Sequence, residues 1–177
     1  MSRQRKGHPP RLAGWDYSRT ASYFVTFNVA GRRQVLGTLK SGQVRLSEAG
    51  EIVLACWQGL IGTYPVGLDA RVIMPDHVHG ILILRQGSGA LMNRGPTGVD
   101  QGHTGMDQGF MPMMADPAMV LGKVVRAWKA RSTHLIRRTC DPGFAWQSRY
   151  YEHIIRSPAE LERIRNYIEL NPLKERH

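Results

Sequence analysis

Two histidines and one tyrosine are the residues of this chain whose types and spacing best fit chemistry. His77 and His79 flank Val78 in the segment MPDHVHG. Residues i and i+2 of a strand project from the same face, so the two imidazoles are expected to lie side by side. Neutral imidazoles bind divalent metals, but two ligands do not complete a site. The pattern therefore predicts a metal site with a third ligand elsewhere, and the alternative is a pair of structural histidines.

The second group is Tyr167 and Asn171, which are four residues apart in a helical pattern. At that spacing two side chains lie on one helical face. The amide oxygen of Asn171 could complete a metal site, whereas in the alternative reading Tyr167 packs at the edge of the core and Asn171 ends the helix. A phenol is a poor nucleophile at neutral pH. A divalent metal on a phosphodiester would neutralise charge and orient the phosphorus. Attack by Tyr167 would then form a covalent phosphotyrosine.

Neighbouring residues leave alternatives open. Tyr150 and Tyr151 are rival phenols, and because they are adjacent in a predicted strand, at most one can face the histidines. Asp76 either shapes the turn before the histidines or supports one of them. His153 is either a structural histidine or a contact to DNA or to the metal's outer surroundings.

The elements that must position these residues follow from hydrophobic periodicity and turn signals. Their order, β-(hairpin)-α-β-β-α-β-α, predicts an α+β, ferredoxin-like (split βαβ) antiparallel sheet with helices on one face and a C-terminal helix that carries the tyrosine. A Ser157-Pro158 start and Pro172 bound that helix. The predicted ranges are strand 22–29, hairpin 35–46, helix 47–62, strands 69–74 and 77–84, helix 117–136, strand 144–155 and helix 157–171.

Two segments fall outside this periodic pattern in what is predicted to be a single domain over 1–177. Residues 1–19 form a basic arm, and residues 86–116 form a Gly-rich insert. The insert contains TGVDQGH at 97–103 followed by TGMDQGF at 104–110. Two short copies are too few to stack as a solenoid, so the insert is predicted to be a flexible loop.

The charge distribution predicts a polyanionic partner. The chain has 24 Lys and Arg against 14 Asp and Glu, a net charge of +10. The excess comes from residues 1–40 and from an acid-free stretch at 118–138. Such basic segments favour phosphate contacts, which supply affinity and orientation. The predicted DNA contacts are Arg3, Arg5, Lys6, Arg11, Lys123, Arg126, Lys129, Arg149 and Arg156.

Other function classes are excluded by what the sequence lacks. Cys56 and Cys140 are the only cysteines, so a disulfide framework or a thiolate zinc site is not expected. No run of 18 apolar residues is present, which argues against a membrane span. The basic N-terminus has no apolar stretch behind it, which argues against a signal peptide. A cytoplasmic location is expected.

The segment MPDHVHGILIL, followed downstream by WQSRYYEHIIRSPAELERIRNYIELNP, resembles the HUH single-strand (Y1-type) tyrosine transposases, most of all the REP-associated tyrosine transposases. The resemblance implies cleavage and rejoining of single-stranded or hairpin (REP-like palindrome) DNA through a 5′-phosphotyrosine, with Mg²⁺ or Mn²⁺ as cofactor. It implies that Tyr167 is the nucleophile and that His77, His79 and Asn171 bind the metal. The expected setting is the nucleoid of a bacterial cytoplasm, with a monomer or a homodimer that exchanges its tyrosine helix.

Two other functions remain open at the sequence level. One is a non-catalytic regulator that binds hairpin DNA on the same fold. The other is a replication-initiator-type HUH nuclease, although such proteins often carry extra domains for which 177 residues leave no room.

Overall fold

The computed structural model describes residues 21–85 and 117–174. These residues form six strands and four α-helices. The strands are β1 (Ala21–Asn28), β2 (Gly37–Lys40), β3 (Gln43–Leu46), β4 (Val66–Ile73), β5 (His77–Leu84) and β6 (Tyr151–Ile155). The helices are α1 (Glu48–Gln58), α2 (Pro117–Thr139), α3 (Pro158–Glu169) and α4 (Asn171–Lys174).

A four-stranded sheet organises the chain in the order β4-β5-β1-β6. Every neighbouring pair in it is antiparallel. In this order β1 lies between β5 and β6. Strand β4, which follows α1, forms the edge next to β5. This is the split βαβ arrangement that the element order predicts, so the ferredoxin-like prediction is confirmed.

One face of the sheet carries the main core. Strand β1 alternates buried and half-buried residues along its length, and its buried side chains Tyr23, Val25 and Phe27 join the larger hydrophobic cluster. Helices α1 and α2 supply Trp57 and Trp128 to the same cluster, with ring centroids 5.7 Å apart. The predicted placement of helices on one face therefore holds for α1 and α2.

The other face carries α3. Ile168 of α3 packs with Ile81 of β5 and Ile155 of β6, and the half-buried Phe24 of β1 packs against them. His77 and His79 share this face with Ile81, because successive odd residues of β5 point the same way. The sheet therefore separates the two-helix layer from the layer that holds the candidate site.

Some predicted boundaries were wrong. The strand predicted at 144–155 is regular only over Tyr151–Ile155. The preceding segment packs onto α2 instead, with Trp146 buried and its Nε1 donating to Ser132 Oγ at 3.0 Å. Strand β4 begins at residue 66, three residues before its predicted start, and an irregularity lies between Leu68 and Arg71.

The predicted hairpin and tyrosine helix were found. Strands β2 and β3 pair around Ser41 and Gly42, both with positive φ (50° and 76°). Helix α3 has Ser157 as its N-cap, as predicted, and Pro172 lies in the short α4 that follows it. The arm at 1–19 and the insert at 86–116 lie outside the described residues. No helix within 21–85 or 117–174 is long and apolar enough to cross a membrane.

Candidate functional site

The two histidines lie buried on the α3 face of β5. Their rings are 4.6 Å apart between centroids, at an interplanar angle of 75°. Strand pairing sets Thr26 of β1 directly opposite His79, and Thr26 Oγ1 hydrogen-bonds His79 Nδ1 at 2.8 Å. Phe24 stacks on the His79 ring at 5.4 Å. These contacts fix the orientation of His79 and direct its Nε2 away from β1.

His77 is oriented by a carboxylate. Asp76 Oδ1 accepts a hydrogen bond from His77 Nδ1 at 2.6 Å, and Arg32 Nε contacts the other carboxylate oxygen of Asp76 at 2.8 Å. Arg32 also donates to Asn28 Oδ1. Its backbone is left-handed, with φ 55°, a conformation that costs a non-glycine residue about 1–3 kcal/mol when the surroundings enforce it. Asp76 thus supports a histidine, as one of the two readings of the sequence proposed.

Tyr167 projects from α3 onto the histidine pair. Its hydroxyl lies 3.4 Å from His79 Nε2, and the two rings are 5.3 Å apart between centroids. The side chain is 39% exposed, so a phosphate group can approach the phenol from solvent. Lys174 Nζ lies 5.2 Å from the centre of the Tyr167 ring. The predicted nucleophile and the predicted histidines therefore meet within one chain.

The rival tyrosines point in opposite directions. Tyr150 is half-buried against the main core, 5.6 Å from Phe27 between ring centroids. Burial is the chief cause that raises the pKa of its phenol, which makes it a poorer nucleophile still. Tyr151 of β6 pairs with Thr26 of β1 and lies on the sheet face that carries α3. Its side chain is 56% exposed.

The residues present fit a divalent cation. Each histidine has its Nδ1 hydrogen-bonded, to Asp76 or to Thr26, which is the usual arrangement for histidines that bind metal through Nε2. Burial, helped by the nearby His77 and Arg32, lowers the pKa of His79 to about 4, so its ring is neutral at pH 7. Asn171 Oδ1 is buried and has no hydrogen-bond partner within the described part of the chain.

An unpaired buried acceptor is costly, about 1–3 kcal/mol, unless something binds it. A cation ligand would explain the orphaned oxygen of Asn171. The structure ends α3 at Glu169 and places Asn171 at the start of α4, so Tyr167 and Asn171 do not share one continuous helix as predicted. Within the described residues, no cluster of three or more His, Cys, Asp or Glu could hold a metal, so a third ligand for the histidine pair would have to be another kind of group, such as this amide oxygen.

Two sets of contacts hold α3 on the sheet. Arg165 makes a two-point contact with Asp69 of β4, at 3.0 and 2.7 Å, and the pair lowers the pKa of Asp69. At the start of the helix, the Glu160 carboxylate accepts from the backbone N–H of Arg156 and from His153 Nε2, both at 2.8 Å. His153 is therefore paired with Glu160, which agrees with its structural reading.

The predicted DNA contacts are dispersed. Lys123 and Arg126 are exposed on α2, which packs on the sheet face opposite α3. Lys129 is half-buried and donates to the backbone carbonyls of Gln147 and Ser148, which gives it a structural role. Arg149 and Arg156 are exposed before and after β6. The remaining four, Arg3, Arg5, Lys6 and Arg11, lie outside the described residues.

Sequence reasoning did not assign Phe24, Thr26, Arg32 or Lys174 to the site. Phe24 and Thr26 read as ordinary strand residues, and only the β1–β5 register places them beside His79. Arg32 offered one signal, since it follows β1 at the end of the sheet where Asp76 immediately precedes β5.

Comparisons with known proteins bear on the family and the fold of this chain. No family model matches the chain. An uncharacterized protein of Haemophilus influenzae is 30% identical over 165 residues, which cover 92% of this chain and 86% of that protein. Among solved structures, a REP-associated tyrosine transposase bound to a REP hairpin superposes with a TM-score of 0.51 at 22% identity, over 93% of this chain and 73% of that one.

Proposed function

We propose that this chain cleaves and rejoins single-stranded or hairpin DNA. The chain belongs to one family with the Haemophilus influenzae protein, and it has the fold of a REP-associated tyrosine transposase. The resemblance seen in the sequence is confirmed at the level of fold. The observation that carries the proposal is the approach of the Tyr167 hydroxyl to His79 Nε2, at 3.4 Å. This contact places the proposed nucleophile next to a proposed metal ligand.

In the proposed reaction, Tyr167 attacks a phosphodiester. The phenol oxygen forms a bond to phosphorus, and the bond between phosphorus and the 3′ oxygen breaks. Tyr167 loses its phenol proton, and the leaving 3′ oxygen gains a proton to become a 3′ hydroxyl. The 5′ phosphate stays on Tyr167, so the step can be reversed with another 3′ hydroxyl.

His77, His79 and Asn171 would hold Mg²⁺ or Mn²⁺. A bound cation would neutralise charge on the phosphate and stabilise the transition state. Asp76 and Thr26 keep the histidine rings oriented. Lys174, above the Tyr167 ring, adds positive charge beside the nucleophile. Such a substrate implies action on the DNA of a bacterial cytoplasm.

The test is adduct formation. The protein is incubated with single-stranded DNA spanning palindromes next to its gene, with Mn²⁺, and covalent protein–DNA species are separated on a denaturing gel. We expect an adduct with the wild type and with Tyr151→Phe, and none with Tyr167→Phe. An adduct in Tyr167→Phe would contradict the assignment of the nucleophile.

A non-catalytic hairpin-binding regulator is the alternative. It would bind hairpin DNA without any adduct across Mg²⁺, Mn²⁺ and several hairpin substrates. The buried, orphaned oxygen of Asn171 and the oriented histidines favour the enzyme, because DNA binding alone requires neither.

A further inference from the structure

A cleft beside Tyr167 has no role in the proposed chemistry. It opens between β6 and α3, with a volume of about 330 Å³. Its lining includes the aromatic residues Phe24, Tyr151 and Tyr167 and the polar residues His153, Glu160 and Arg163. This volume is at the small end of the range of about 300–1,000 Å³ for small-ligand sites.

The aromatic side of the cleft follows from strand register. Tyr151 lies opposite Thr26, which in turn lies opposite His79, so one row across three strands carries Tyr151, Thr26 and His79. Phe24 makes edge contacts with both Tyr151 and Tyr167, at 6.1 and 6.0 Å between centroids. Tyr151 nevertheless stays 56% exposed. An exposed aromatic ring next to a DNA-cleaving tyrosine offers a surface on which a nucleobase can stack.

The polar side of the cleft offers acceptors to a base. Arg163 also lines the cleft and carries a positive charge next to Glu160, and the Glu160 carboxylate is the group there that accepts hydrogen bonds. Its two oxygens accept one hydrogen bond each, from the Arg156 N–H and from His153. A carboxylate has about four acceptor positions, so two remain for donors on a ligand. Exocyclic amino groups of bases are such donors, and carboxylates accept from them in protein–DNA complexes.

We propose that this cleft binds one unstacked base of the DNA strand next to the cleaved phosphodiester, with the base stacked on Tyr151 and its amino group donating to Glu160. The inference rests on the proposed function, because it takes the ligand to be single-stranded DNA. It adds a source of sequence preference: cytosine, adenine and guanine carry an exocyclic amino group, and thymine and uracil do not.

The test measures binding rather than cleavage. Tyr167→Phe protein without added metal is titrated with short fluorescein-labelled oligo-dC and oligo-dU at pH 7.5, and affinity is read by anisotropy. Cytosine and uracil differ at one edge, where the amino group of cytosine is replaced by a carbonyl and its N3 acceptor by an N–H, so the comparison tests the amino donor against the ring N–H donor. We expect oligo-dC to bind more tightly.

Four further substitutions locate the effect. Added to the Tyr167→Phe background, Tyr151→Ala should weaken oligo-dC binding about 5- to 150-fold, the range for losing one aromatic–base stack, whereas Tyr151→Trp should retain it. Ile61→Ala, which changes an exposed apolar residue elsewhere (60% exposed), should leave affinity unchanged. Glu160→Gln should reduce the preference for oligo-dC, because the amide N–H of Gln can donate to the carbonyl of uracil, which the carboxylate cannot do. A Gln at this helix position still serves the N-terminal cap.

Equal binding of oligo-dC and oligo-dU by the parent protein would overturn the inference, as would an unchanged affinity in Tyr151→Ala. Neither result affects the proposed function if the Tyr167 adduct forms. Conversely, a base preference that depends on Tyr151 and Glu160 in a protein that forms no adduct would uphold the cleft and reject the enzyme.

Discussion

At the scale of single residues, the site is a set of polar groups whose orientation depends on their partners. His77 is held by Asp76, and Asp76 in turn by Arg32. His79 is held by Thr26. Asn171 is the exception, because its buried oxygen has no partner within the described residues.

Asp76→Asn should weaken metal binding about 10- to 100-fold, the usual cost of losing a carboxylate behind a metal-binding histidine. The amide can still accept from His77, but it cannot hold Arg32 by charge. The measurement is Mn²⁺ titration by isothermal calorimetry. Asp141→Asn is a matched control, because it breaks a similar ion pair with Arg33 at 2.9 Å that touches neither histidine. Equal metal affinity in both variants would contradict the role of Asp76.

Asn171→Ala should separate metal binding from stability. Without metal, the variant should melt at about the same temperature as the wild type or higher, since it removes an unpaired buried acceptor that costs about 1–3 kcal/mol. With Mn²⁺, the wild type should gain stability in proportion to ligand binding, and the variant should gain less. Thermal denaturation with and without Mn²⁺ gives both comparisons. An equal metal-induced shift in the two proteins would remove Asn171 from the ligand set.

At the scale of elements, the position of the site depends on how β5 and α3 are fixed. Gly80 follows His79 and faces the opposite side of the sheet, where a Cβ would lie 2.7 Å from the Trp57 ring of α1. Trp57 is buried and its ring contacts Phe27 and Trp128. The close approach of α1 to β5 therefore sets where the histidine strand lies.

Gly80→Ala should destabilise the protein by about 1–3 kcal/mol, the usual range for overpacking a core. Gly122→Ala is the control, because a Cβ at this half-exposed α2 position would meet nothing within 4 Å. Alanine in a helix interior gains about 1 kcal/mol over glycine, so this variant should be more stable. Urea denaturation of both variants measures the difference. A neutral Gly80→Ala would mean that α1 is not tightly packed on β5.

The Arg165–Asp69 pair should make the docking of α3 dependent on pH. Arg165 lowers the pKa of Asp69 below its ordinary 3.8. A carboxyl with a depressed pKa stabilises the fold above its unfolded pKa, and this contribution disappears as the pH falls through the folded value. Asp69→Asn should therefore lower the melting temperature at pH 7, and the gap to wild type should close below about pH 4.

The control for this prediction is Glu162→Gln, which removes the exposed neighbour of Arg165 at 3.4 Å. It should leave the melting temperature nearly unchanged, because exposed ion pairs contribute little. A constant gap between Asp69→Asn and wild type from pH 7 to pH 3 would show that the ion pair does not hold α3.

At the scale of the whole molecule, the exposed cations predicted to contact DNA lie in two places. Lys123 and Arg126 are on α2, which packs on the sheet face opposite α3, whereas Arg149 and Arg156 lie before and after β6. We expect a short single strand at Tyr167 to reach the second pair but not the first. A hairpin with a duplex stem is large enough to approach both.

Salt dependence should distinguish these surfaces. For a short single strand, Arg149→Gln with Arg156→Gln should reduce the slope of log affinity against log salt by about 0.7 for each lost phosphate contact. The double variant Lys123→Gln with Arg126→Gln should leave the slope for a short single strand unchanged. It should reduce the slope for hairpin DNA. Salt titrations by fluorescence anisotropy give the slopes. Identical slopes for all proteins would remove these four residues from the DNA interface.

The sequence by itself determined the order of elements, the ferredoxin-like class and the pairing of His77 with His79. These depend on local periodicity, and the period of two in β5 places both imidazoles on one face whatever the rest of the chain does. The Ser157-Pro158 start of the tyrosine helix was predictable for the same reason. The segment before β6 was not, because Phe144 and Trp146 have strand-like character but pack onto α2.

Only the tertiary structure decided which residues surround the histidines. Thr26 and Phe24 reach His79 through the β1–β5 register, Arg32 reaches Asp76 through a left-handed turn, and Tyr167 reaches His79 across 88 positions of sequence. Such contacts depend on how separate elements pack, and no local pattern encodes that packing. The same packing leaves Tyr151 exposed beside Tyr167, which adjacent tyrosines in a sequence could not reveal.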